Sequence, residues 1–175
     1  MRSRTIGFVA ALVVVVLAGA GQADAETVLV SVRDDSEIVP ADDEDYNAQS
    51  RFHLSAVEDG VMSTFFDAGH IVFNLGDYTR DAEGTMQRRY TVRKAAREGG
   101  AAFVVQLSVT FERPKPDLLR PTAVNYVLWE VESGEMIAEG ARTAPFPESP
   151  DGSSEPGSRT ARIGRHIGQE LLSEW

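Results

Sequence analysis

Ala101-Ala102-Phe103-Val104-Val105-Gln106-Leu107-Ser108-Val109-Thr110-Phe111-Glu112 carries the clearest period of two in the chain. Phe103, Val105, Leu107, Val109 and Phe111 share one face, and Val104 adds an apolar residue to the other. Successive side chains of a strand point to opposite faces, so this alternation predicts a strand with its apolar face on a core. Working back, residues 85–98 place Val92, Ala95 and Ala96 on one side of a short helix, which Gly99-Gly100 ends. Working forward, the three prolines of residues 113–121 fix φ and remove donors, so a loop rather than sheet is expected there. Residues 123–131 and 136–143 then read as two strands joined by the tight turn Glu132-Ser133-Gly134-Glu135. Three consecutive strands predict an antiparallel meander.

Further out, Thr27-Val28-Leu29-Val30-Ser31-Val32 reads as a buried strand and residues 70–75 as another. Between them Leu54, Val57, Val61 and Phe65 recur every three or four residues, the face of a long amphipathic helix over about 46–67. Acidic residues precede it, where a helix N-terminus favours negative charge, and Gly69 stands where a left-handed cap would end it. Strand, helix and strand in this order predict a right-handed βαβ unit with parallel strands. At the far end Ile163, Ile167, Leu171 and Trp175 lie four apart, a terminal helix expected to pack back on the sheet. Its Gly164 and Gly168 would permit close helix-to-sheet approach. The predicted fold is a single layered α+β domain of order β-α-β-α-β-β-β-α with a mixed sheet.

Residues 1–25 are set apart. Arg2 and Arg4 precede an uncharged apolar stretch that closes on Ala23-Asp24-Ala25, the layout of a cleavable secretory signal with Glu26 as the new amino terminus. An uncleaved anchor is the other reading, but the apolar run is near the short end of a bilayer span. The expected address is periplasmic or secreted. The division predicted is a signal at 1–25, a domain body at 26–144, a Pro/Gly/Ser-rich linker or loop at 145–158, and a C-terminal helix at 159–175 on the same domain. All 175 residues carry a formal charge of −10; without the signal, 15 basic and 26 acidic side chains leave −11. There is no cysteine, which excludes disulfide stapling, thiol catalysis, thiolate metal sites and lipid attachment. The acidity argues against nucleic acid as partner.

No catalytic motif stands out. Serines occur in neither Gly-x-Ser-x-Gly nor Ser-x-x-Lys context, and Gly99-Gly100 runs from helix to strand, the reverse of a phosphate-binding loop. Asp42-Asp43-Glu44-Asp45 lacks the alternating ligands of a calcium loop, and His53, His70 and His166 lack the spacing of a zinc helix, so no metal and no cofactor are expected. His70, beside Asp67, and His53 are the residues from which a His/carboxylate hydrolase or ligand-processing site would be built. The sharper asymmetry is basic: Arg88, Arg89, Arg93, Lys94 and Arg97 put a third of the exported positive charge on one helix, with Arg89, Arg93 and Arg97 in a stripe. Such a stripe is either the solvated outer face of a helix or a contact for an anionic partner.

Ala95-Ala96-Arg97-Glu98-Gly99-Gly100-Ala101-Ala102-Phe103-Val104-Val105-Gln106-Leu107-Ser108-Val109 resembles the helix-to-strand passage of small envelope proteins, and Val124-Asn125-Tyr126-Val127-Leu128-Trp129-Glu130-Val131-Glu132-Ser133-Gly134-Glu135-Met136-Ile137 looks like their hairpin. With the element order, the chain is similar to the amino-terminal domain of TolB and to CsgG- and LpoB-like envelope domains. The resemblance implies a non-enzymatic periplasmic module that binds another envelope protein or helps assemble a complex, and it carries over no catalytic residue. The chain lacks the lipid-attachment cysteine of the lipoprotein members and the propeller of TolB. Under this reading the helix bearing the basic stripe and the 113–121 loop are the expected contact surfaces.

Overall fold

A computed structural model describes residues 25–36, 43–76, 85–146 and 156–175, with the side chains of 85–89 and 156 outside the described set. The signal segment before Ala25 and most of the 145–158 stretch therefore lie outside it. The element order is β1 (Thr27–Asp34), α1 (Glu44–Asp67), β2 (Ile71–Asn74), α2 (Thr85–Glu98), β3 (Phe103–Lys115), β4 (Leu118–Glu130), β5 (Met136–Thr143) and α3 (Pro156–Glu174). This is the predicted α+β order. The five strands form one sheet in the order β2-β1-β3-β4-β5. β1 pairs parallel with β2, Val28 opposite Val72, and parallel with β3, Val30 opposite Val105; β3, β4 and β5 form the antiparallel meander.

The main core lies between the sheet and the α1–α3 pair. Val28, Val30 and Val32 of β1 meet Val105, Leu107, Val109 and Phe111 of β3 and Leu54, Val57, Val61 and Phe65 of α1. Ile163, Ile167 and Leu171 close it from α3. Asp43 starts α1 by accepting from Tyr46 N at 2.9 Å through Oδ1, while Oδ2 meets Arg113. The amide of Tyr46 first, then Arg113, hold the Asp43 carboxyl below the usual carboxylate range.

Two expectations are corrected. The stretch 113–121 is largely strand, because register shifts between Thr110 and Phe111 and between Glu112 and Lys115 take up the irregularity while Phe111 still opposes Pro121. Only the Pro116–Asp117 tip stands outside the strands. The glycines of α3 serve a helix-to-helix approach: a Cβ on Gly164 would lie 2.0 Å from Val57 O, and one on Gly60 of α1 would lie 2.0 Å from Ala161 O. α3 also begins at Pro156, three residues before its expected start.

Candidate functional site

α2 packs on the opposite face of the sheet. Val92 and Ala96 bury against Leu29, Ala101, Val104 and Val131, with Phe73 and Trp129 partly covered at the margins. The helix is short and its apolar face is small, so it shields only the part of that face near the start of β3 and the end of β4. Farther along, the face turns polar: Arg33, Ser108 and Asn125 share one cross-strand row, and Arg33 Nε donates to Ser108 Oγ at 2.6 Å. Between the helix and the polar rows lies a groove of about 250 Å³ lined by Arg93, Gln106, Val127, Trp129, Gly134 and Met136. Met136, which lines it, is 53% exposed, and Tyr90 of α2 is 67% exposed.

The basic stripe divides. Arg93 is half-buried and donates from Nε and Nη2 to Val131 O, at 3.2 and 3.1 Å, and from Nη2 to Glu132 O at 2.9 Å, which ties α2 to the β4–β5 turn. Gly134 of that turn, at φ 74°, lies directly beneath: a Cβ there would stand 3.1 Å from Nη1. Arg97 is exposed in the last helical turn, without an ion pair among the described residues. The side chain of Arg89 lies outside the described set. Lys94 is 3.9 Å from Glu98 on the exposed side. Neither Gln106 nor Trp129 was legible as a site residue from sequence, because each reads as an ordinary strand position; only the register sets them beside Val127 and Met136 under the helix.

The histidines are spread along the α1–α3 pair rather than gathered. His53 is buried at 6% exposure, with Nε2 3.1 Å from Leu119 O and Nδ1 3.0 Å from Thr160 Oγ1. A carbonyl only accepts, so Nε2 carries the proton and Nδ1 takes the Thr160 hydroxyl. Both nitrogens of this ring are thus occupied, neither by a carboxylate. Burial pushes its pKa down, opposed by the bond to Leu119 O. His70 instead stacks on Trp175, ring centroids 4.6 Å apart, beside Phe65. Thr160 and Trp175 lie at opposite ends of α3, so the two rings are separated by roughly 20 Å along that helix. His166 is exposed on α3, near Arg142. Among the described residues no three His, Asp or Glu side chains come together as metal ligands, and no helix is long and apolar enough to cross a membrane.

No protein-family model matches the sequence, and no curated protein matches it. Solved structures similar to the chain include the PelC dodecamer from Paraburkholderia phytofirmans, at 18% identity and TM-score 0.43 over 82% of this chain and 84% of that one. The LpoB C-terminal domain from Salmonella enterica matches at 19% identity and TM-score 0.31, over 77% of this chain and 93% of that one. TolB from Acinetobacter baumannii matches at 12% identity and TM-score 0.37, over 86% of this chain but only 28% of TolB. The resemblance to TolB- and LpoB-type envelope domains is thus met among solved structures.

Proposed function

We propose that the chain is an exported, non-enzymatic module of the cell envelope that acts by binding another protein, with α2 and the groove beside it as the contact surface. The observation that carries this reading is the half-covered second face of the sheet, where Met136 is exposed and Trp129 partly exposed beside Arg93, while Tyr90 and Arg97 are exposed on α2. An apolar surface rimmed by charge is the usual composition of a protein contact, with aromatic, Met and Arg side chains enriched at its centre. The signal-like residues 1–25 support the compartment. Against a hydrolase stands His53, whose ring nitrogens are occupied by a hydroxyl and a carbonyl.

The test is affinity capture from envelope extract with the exported chain, repeated with Arg97→Glu and Tyr90→Asp, two exposed positions whose replacement leaves the core intact. A partner held by the wild type should be lost from both variants. Recovery unchanged by either substitution would remove α2 as the contact surface.

A further inference from the structure

We infer that the groove between α2 and the β4–β5 turn receives an extended segment of the partner that carries one carboxylate beside an apolar side chain. The carboxylate sits on the Nη1 edge of Arg93 and the apolar side chain on Val127, Trp129 and Met136. This rests on the interface reading above and names the chemistry of what binds.

The guanidinium is the starting point. Its Nε and Nη2 are spent on the carbonyls of Val131 and Glu132, which brings no net negative charge to a half-buried cation. Nη1 has no acceptor among the described residues, and Arg93 forms no ion pair there. Arginine cannot relieve this by losing its proton. Because three hydrogen bonds already hold the side chain, little further rotamer freedom is lost when an anion arrives, and the N–H groups of Nη1 remain as charge-assisted donors for a carboxylate oxygen. Gly134 leaves the approach open, since any side chain at that position would stand against Nη1. The amide of Gln106 and the indole N–H of Trp129 line the same groove with no hydrogen bond among the described residues, so further polar groups are available to a bound backbone.

Size and charge narrow the occupant. At about 250 Å³ the groove is below the range usual for drug-sized ligands and cofactors, and fits a short stretch of chain. Its apolar members favour a segment over a free inorganic anion. Glu132, Glu135 and Glu139 are exposed around the turn and on β5 and repel any anion, so one carboxylate is offset by Arg93 while each further acid adds repulsion that no cation lining the groove offsets.

The chain holds two tryptophans, so Trp175→Phe leaves Trp129 as the sole indole reporter. In that background, titration with the peptide Ac-Ala-Leu-Asp-Leu-Ala-NH2 should give a saturable change in tryptophan emission. The Asn counterpart should bind about ten-fold more weakly, the loss of one charge-assisted contact. Met136→Glu, at an exposed position, should weaken the Asp peptide at least as much with an unchanged circular dichroism spectrum, and Arg93→Lys should weaken it because a single ammonium cannot hold the Val131 and Glu132 carbonyls and also present a fixed donor to the groove. Equal binding of the two peptides, no saturable change, an unaffected Met136→Glu variant, or sodium acetate reproducing the whole signal would each overturn the proposal. If these fail while Arg97→Glu and Tyr90→Asp still abolish capture, the interface reading stands and only the groove chemistry falls. Peptide binding with capture indifferent to those two variants would instead uphold the groove chemistry and remove the exposed side of α2 from the interface.

Discussion

His53 shows how one buried side chain joins three parts of the fold. It stands on α1, takes the Thr160 hydroxyl from α3 and donates to the Leu119 carbonyl of β4. Burial favours its neutral form, so the folded ring takes a proton only below its ordinary value of 6.5. The unfolded ring takes it near 6.5, so this contribution is whole above that pH and falls as pH drops toward the folded value. The denaturation midpoint should therefore decline from about pH 7.5 to about pH 5, and the decline should be shallower in His53→Gln. Asp43 adds a separate acid window: its lowered carboxyl stabilises above the ordinary carboxylate range, and that contribution is lost as pH falls through the folded value. Thr160→Val keeps the shape but strands Nδ1 without a donor at a site only 1% exposed, and should cost about 1–3 kcal/mol in chemical denaturation. A midpoint within error of wild type would refute a stabilising bond between Nδ1 and the Thr160 hydroxyl. Sequence showed His53 as a histidine on a helix; its partners come from residues 66 and 107 positions away and left no local signal.

Between elements, the α1–α3 contact rests on reciprocal close approach. Gly60 of α1 faces Ala161 O, and Gly164 of α3 faces Val57 O. An added Cβ meets backbone on each side and cannot be relieved by a rotamer change, so the helices must separate. Gly164→Ala should cost about 1–3 kcal/mol or more, and Gly60→Ala a similar amount. The double variant should cost less than the sum, because one separation accommodates both methyl groups. Strict additivity in urea denaturation would mean that the two contacts do not share a helix displacement. The Gly-x-x-x-Gly spacing was visible in sequence, but its partner was not: an apolar stripe on α3 suits a sheet or another helix equally well. The hairpin of β3 and β4 shows the opposite limit, since prolines that read locally as a loop are carried within strands by register shifts.

At the scale of the molecule, the sheet has one face that packs the main core against α1 and α3 and another only partly covered by α2. Binding through the open part should weaken as salt rises if an anionic partner meets Arg93 and Arg97, which capture over a salt series would show. The reading of residues 1–25 as a signal predicts that mass spectrometry of the chain recovered from the envelope starts at Glu26; an intact amino terminus would show an uncleaved segment instead. The elements themselves were determined by sequence alone, because periods of two and 3.6 and the glycines that end helices are local properties of the chain. So were the βαβ unit and the meander, which join neighbours along it. That β1 sits between β2 and β3, parallel to both, was decided only by tertiary structure. A short valine-rich strand can pair with several partners, and its neighbour is chosen by which helices cover each face. The groove follows from that choice: Gln106, Val127, Trp129 and Met136 meet only because β3, β4 and β5 align in this register beside α2.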